Sequence, residues 1–247
     1  MRGRRSTTCS SFSPKNGRSP VPLLSEQDQQ VVSSRLAVIT SPVKILFFTQ
    51  TFDAPDTALI ARQVLDEVVS LSEQISLEEV NFVLDKELAT KYGIVGIPAV
   101  ALLRGDEDTR IRFLGAPAGY EFASLVEAVV LAGTGESGLT PESKALVAMH
   151  VTEPTEILVF VTPSCPHCPR AVTLAHRMAV ESPLIRATCV EATEFIDLSQ
   201  RYQVTGVPKT VVNGTIEMLG ALPESLFVRT AVGAPELPPA ASPEPPE

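Results

Sequence analysis

The chain has 247 residues, 44% of them hydrophobic, enough to bury one large core or two small ones. Its formal charge of −9 hides an asymmetry: residues 1–25 hold five basic residues and no acid, so residues 26–247 set 15 Lys and Arg against 29 Asp and Glu, a balance of −14. These totals argue against a nucleic-acid surface, the lack of any apolar run of about 20 residues argues against a membrane span, and four cysteines are too few for a disulfide scaffold.

The basic N-terminus lacks the apolar stretch of about 7 to 15 residues that a secretory signal needs, although its residue types also resemble an organelle transit peptide. Residues 1–21 are expected to be a disordered basic tail and the chain to be cytoplasmic. Ser25, with Asp28 three residues on, opens a helix to about Ile39, the serine capping its first turn. Lys44 to Phe48 reads as a buried strand, and Ala61, Val64, Leu65, Val68 and Val69 mark one face of a helix from Pro55 to Leu71. A strand (Val80 to Leu84), a short helix (Lys86 to Lys91), strands at Ala99 to Leu103 and Ile111 to Phe113, and a helix (Glu121 to Leu131) follow. Gly133 to Gly138 is a Gly/Ser-rich joint.

Beyond the joint, Thr140-Pro141-Glu142 supplies an N-cap, an N1 proline and an acidic first turn for a helix to about His150. A strand (Ile157 to Val161), a helix (Cys165 to Val180), a strand (Ile185 to Val190), a helix (Phe195 to Tyr202), strands at Thr210 to Val212 and Ile216 to Leu219, and a helix (Pro223 to Val232) then repeat the earlier order. Residues 234–247, with six prolines, read as a disordered tail. Residue matches support the repeat: Lys91-Tyr92-Gly93-Ile94-Val95-Gly96-Ile97-Pro98 stands 110 positions before Arg201-Tyr202-Gln203-Val204-Thr205-Gly206-Val207-Pro208, and Ile45-Leu46-Phe47-Phe48 stands 112 before Ile157-Leu158-Val159-Phe160. Two copies of one α/β unit follow, residues 22–135 and 136–233.

The chemistry concentrates in Cys165-Pro166-His167-Cys168, where an apolar strand turns into a helix. A thiol at a helix start meets unpaired N–H groups and the positive end of the dipole, both of which favour the thiolate. Cys168 shares a face with Ala171, Val172, Ala175, Met178 and Ala179, whereas Arg170, Thr173, His176 and Arg177 form the opposite, polar face. Cys165 is therefore expected to be the outward nucleophile and Cys168 the buried resolving thiol. His167 adds positive charge that should hold the Cys165 thiol below the free value of about 8.5. His176 is expected at the surface, and Cys189, in an apolar run, as a buried inert thiol. No second pair of ligands at zinc spacing accompanies the cysteines, so no metal is expected.

Val207-Pro208 before an apolar strand suggests a cis bond beside the sulfurs, with backbone free to pair with an extended substrate. Pro98 is its counterpart in the first unit. Shifted back by 112, the two cysteines fall on Asp53 and Asp56, which cannot form a disulfide; beside Pro55 they are expected to cap and charge the start of a helix.

Strand, Cys-x-x-Cys, helix, strand, helix, then Val-Pro before a hairpin and a last helix resembles the thioredoxin fold. The duplicated form, with Phe160 to Pro169, Ala175 to Ala179, Val207-Pro208-Lys209 and Leu114 to Phe122, resembles the protein disulfide oxidoreductases, which are glutaredoxin-like and have two thioredoxin-fold units in tandem. The resemblance implies an α/β architecture of two tandem thioredoxin-like folds, each a mixed central sheet flanked by helices. It also implies dithiol–disulfide exchange on protein substrates, with no cofactor beyond the Cys165–Cys168 disulfide. Many members of that family have Cys-x-x-Cys in both units; here the first holds Asp53 and Asp56. Thioredoxin has a buried aspartate in the strand before its cysteines, and Ile157 to Val161 has no acid, which leaves Glu191, Glu194 or water as proton acceptor for Cys168. The second resemblance is to the duplicated N-terminal domain of the flavin-containing alkyl hydroperoxide reductase, which implies a thioredoxin-reductase-like flavoprotein or a peroxidase as partner. The competing reading is a peptide-binding module whose redox pair is idle.

Overall fold

The computed structural model describes residues 23–235. The expected basic tail, Cys9 and all but the first two residues of the Pro-rich tail lie outside the described residues. The elements are α1 (Glu26–Leu36), β1 (Val43–Thr49), α2 (Asp56–Ser70), β2 (Ile75–Asn81), α3 (Lys86–Tyr92), β3 (Ala99–Arg104), β4 (Glu107–Leu114) and α4 (Glu121–Thr134) in the first half. The second half has α5 (Pro141–His150), β5 (Thr155–Val161), α6 (Cys168–Glu181), β6 (Ile185–Glu191), α7 (Ile196–Arg201), β7 (Lys209–Val212), β8 (Ile216–Leu219) and α8 (Glu224–Ala231).

Local chemistry sets the helix starts. Ser25 Oγ accepts the N–H of Asp28 and donates to its carboxylate at 2.7 Å, and Thr140 Oγ1 accepts from Ser143 N ahead of Pro141. All eight strands form one sheet in the order β2-β1-β3-β4-β6-β5-β7-β8. In each half the first two strands are parallel and the rest antiparallel, and the halves join where β4 and β6 run parallel, pairing Phe113 with Cys189.

That junction explains why equivalent strands differ in composition. β2 lies at a sheet edge and buries only Ile75 and Val80, whereas β6, covered by strands on both sides, is buried along nearly its whole length. The sparse apolar signal of β2 also corrects the strand expected at Val80 to Leu84. The strand ends at Asn81, whose side-chain oxygen accepts the N–H groups of Val83 and Leu84 and turns the chain there. One apolar layer joins α1, α2, α4, α5, α6 and α8 to one side of the sheet across both halves; α3 and α7 cover the other side through Ala89, Tyr92, Leu198 and the adjoining Phe195 and Tyr202. The shared layer places α4 of the first half directly against α6 of the second.

Candidate active site

The end of β5 delivers the chain into a turn in which Cys165 N donates to Thr162 O at 3.1 Å, and α6 then starts at Cys168 with His167 as its N-cap residue. The helix expected from Cys165 thus starts three residues later. Pro169 sits in its first turn, where a missing N–H leaves no bond unmade. Cys165 and Cys168 form a disulfide with Cα atoms 5.6 Å apart. Cys168 is fully buried and Cys165 is 9% exposed, so the accessible edge of the bond belongs to Cys165. His167 and Pro166 are exposed beside it.

Cys165 Sγ lies 3.8 Å from the carbonyl oxygen of Val207, and the Val207–Pro208 peptide bond is cis. Val207 is half-buried, and the buried Pro208 is fixed by Gly220 N donating to its carbonyl at 2.8 Å. The first half reproduces this corner without sulfur: Ile97–Pro98 is cis and Pro98 O accepts from Gly115 N at 2.8 Å. There Asp56 opens α2, as expected, but Asp53 does not cap it. Pro55 occupies the cap position, and Asp53 is exposed in a left-handed conformation (φ 59°), its carbonyl accepting from Gln50 Nε2. An aspartate tolerates that backbone, so the chain uses it as a turn residue rather than as a cap.

The turn that holds Cys165 is tied to the first half. Tyr120 N donates to Pro163 O at 3.0 Å, and a Cβ on Gly119, itself at φ 61°, would fall 2.3 Å from that same oxygen. The next residue, Glu121, begins α4 and is only 2% exposed. Burial pushes its carboxyl up to about 7 against the partial opposition of Ser124 and of Cys189, whose Sγ stands 3.7 Å from Oε2. Cys189 is buried as expected, and burial and Glu121 raise its thiol further. Glu191 and Glu194 surround the same loop: Glu191 Oε2 accepts from Thr193 Oγ1 and Glu194 N, and Glu194 Oε1 accepts from Ala116 N.

Glu121 gives no sign in the sequence of being buried, because an acid in a first helical turn is ordinary; only the packing of the second half buries it. His176 corrects the expectation of a surface residue. It is 1% exposed, edge-on to Phe113 at 5.1 Å, because α4 covers the side of α6 that its own pattern leaves polar. Neither ring nitrogen has a hydrogen-bond partner, and burial lowers its pKa from 6.5 to about 3, against a weaker pull from the Arg112 backbone.

These two groups give opposed pH dependences. Between about pH 4.5 and 7 the native chain keeps a Glu121 proton that the unfolded chain has released, so this term falls as pH rises. Between about 3 and 6.5 the unfolded chain binds a His176 proton that the native chain refuses, so that term rises with pH. In urea titrations, Glu121→Gln should gain stability relative to wild type as pH increases from 4.5 to 7, at up to about 1.4 kcal/mol per pH unit. His176→Leu should show its largest gain at low pH and lose it by about pH 6.5. Parallel pH profiles for both variants and wild type would contradict the burial of these groups.

A disulfide between a strand end and a helix start, facing a cis-proline from the neighbouring strand of a mixed sheet, is the redox-site geometry of the thioredoxin fold. Residues 155–233 match the model of a thioredoxin domain family. Over the longer chain the similarity is to the alkyl hydroperoxide reductase protein AhpF: 27% identity to that of Escherichia coli over 72% of this chain and 32% of that one, and 28% to that of Pseudomonas aeruginosa over 81% and 36%. The chain therefore spans about a third of the length of these curated relatives. Among solved structures it is similar to the N-terminal N/C domain of AhpF from Enterococcus faecalis (TM-score 0.78, 27% identity, 84% of this chain and 99% of that one). A protein disulfide oxidoreductase from Aeropyrum pernix matches nearly as well (TM-score 0.75, 28% identity, 86% and 96%). Among the described residues, no helix is long and apolar enough to cross a membrane, and no group of three or more His, Cys, Asp or Glu is placed to hold a metal.

Proposed function

We propose that this chain exchanges disulfides with protein substrates in the cytoplasm, with Cys165 as nucleophile and Cys168 as resolving thiol and no further cofactor. The observation that carries the reading is the unequal burial of a bonded pair: the partner sulfur of an incoming substrate reaches Cys165 and not Cys168. The Cys165 thiolate attacks a substrate disulfide and forms a mixed disulfide while one substrate sulfur leaves as thiolate. The Cys168 thiolate then attacks Cys165 Sγ, the second substrate sulfur departs, and two electrons have passed from the protein dithiol to the substrate, whose thiolates take up two protons. Val207 and Pro208 line the approach to Cys165, and the exposed His167 borders it. Glu191, Glu194 or water takes up the Cys168 proton.

The unit at residues 22–135 acts as scaffold for this site rather than as a second redox centre, since Asp53, Asp56 and Pro98 keep the corner without the sulfurs. The relatives named above favour a narrower substrate, the disulfide of a peroxidase, with a thioredoxin-reductase-like flavoprotein as electron source. Titration of the pair in glutathione buffers tests the general reading: a single two-electron couple is expected, with Cys165 and Cys168 oxidised and reduced together. A pair that stays oxidised or reduced over the whole accessible range would refute it. For the narrower reading, the reduced chain should reduce a peroxiredoxin disulfide faster than it reduces insulin; the opposite order would favour general protein substrates.

A further inference from the structure

At the other end of β5 and β6 from the disulfide, roughly 20 Å away by strand length, a cavity of about 390 Å³ opens on the seam between the halves. Lys91, Arg110, Arg112 and Arg186 line it, with Asp108 and Glu156. Four of the 15 basic residues in the acidic 26–247 segment thus meet around one opening. Two are neutralised: Arg112 pairs with Asp108 at 2.6 Å and Arg186 with Glu156 at 2.9 Å. Lys91 and Arg110 have no carboxylate partner among the described residues; Lys91 Nζ rests 4.9 Å over the Tyr92 ring.

Arg110 is held in place at some conformational expense. The β3–β4 register shifts between Ala101 and Leu103, and in the resulting bulge Arg110 adopts φ 64°, a left-handed backbone that glycine normally supplies. Asp108 Oδ1 accepts the Arg110 N–H, and the guanidinium donates to the carbonyl oxygens of Asp108 and Ala179, which are neutral acceptors. Its Nε is buried without a partner. The bulge thus sets on the lining of a cavity of small-ligand size a cation that is in no salt bridge among the described residues, an arrangement suited to an anionic ligand.

We propose that this cavity binds a small multivalent phosphate, with Arg110 and Lys91 supplying the charge-assisted contacts and the Arg112–Asp108 and Arg186–Glu156 pairs forming its walls. A compact oxyanion suits it because guanidinium and ammonium donors converge there and the wall acids are already engaged. The test is calorimetric titration of the full chain with inorganic pyrophosphate. Saturable binding is expected, weakened about tenfold or more by Arg110→Gly and also by Lys91→Ala. Glycine suits the left-handed backbone and Lys91 is exposed, so at least one of the variants keeps the fold intact for the comparison. No binding by the wild-type chain at millimolar pyrophosphate, or undiminished binding by the folded variants, would overturn the proposal.

Discussion

Cys165→Ser is expected to lower insulin-disulfide reduction by at least about a thousandfold, because a serine hydroxyl does not displace a thiolate from a disulfide and no other described thiol can replace it. Cys189, the free cysteine of the described residues, is buried between sheet and helix, and burial with the neighbouring Glu121 disfavours its thiolate. The same assay should find Asp53→Asn within about twofold of wild type. Asn suits the left-handed turn as well as Asp does, and Asp53 makes no side-chain hydrogen bond among the described residues. Substantial turnover by the serine variant would place the chemistry elsewhere in the chain.

A residue without a functional group gives the second large effect. Gly119→Ala should lower the melting temperature by about 5 to 15 °C and cut disulfide exchange with it. The added Cβ would meet Pro163 O at 2.3 Å, and the left-handed backbone adds its own penalty, together about 2 to 5 kcal/mol. The clash pushes on the turn that positions Cys165 and breaks the Tyr120–Pro163 hydrogen bond. The measurement is thermal unfolding together with exchange rate; a variant that melts and turns over like wild type would show that the first half does not brace the active-site turn. Gly105→Ala is the control, since it has the same left-handed backbone but nothing within 4 Å of its added carbon.

Features fixed within one unit are the ones the sequence displays. Cys165 and Cys168 stand at a strand–helix junction visible from the apolar run before them, and the 110-residue echo of Tyr92 to Pro98 in Tyr202 to Pro208 announces both cis-proline corners. The Ser25 and Thr140 caps depend only on residues three positions apart, and both form as their spacing indicates. Contacts between the units are another matter. The parallel pairing of β4 with β6 turns two sheets into one, and no local pattern in Ile111 to Leu114 distinguishes an open edge from a joined one.

The residues whose surroundings differ from expectation mostly share that origin. His176 has the spacing of a solvent-facing residue because the helical wheel of α6 shows one apolar face, but α4 from the other unit covers a second. Glu121 has the place of an ordinary first-turn acid, yet the turn at Pro163 and the strand bearing Cys189 enclose it. Asp53 has a more local cause: it stands where a cap would precede a proline, but Pro55 itself occupies the cap position and Asp53 turns the chain two residues earlier. Arg110 carries no signal at all, since a left-handed arginine in a bulge depends on the β3–β4 register rather than on its neighbours in sequence.

The proposed chemistry requires that one sulfur, at position 165, make first contact with substrate. A Cys168→Ser chain should therefore accumulate a stable mixed disulfide with a disulfide substrate, because the resolving attack is removed. Peptide mapping of that adduct is expected to find the substrate linked to Cys165. Linkage to Cys189 or Cys9, or the absence of any adduct while turnover continues, would rule out this order of attack.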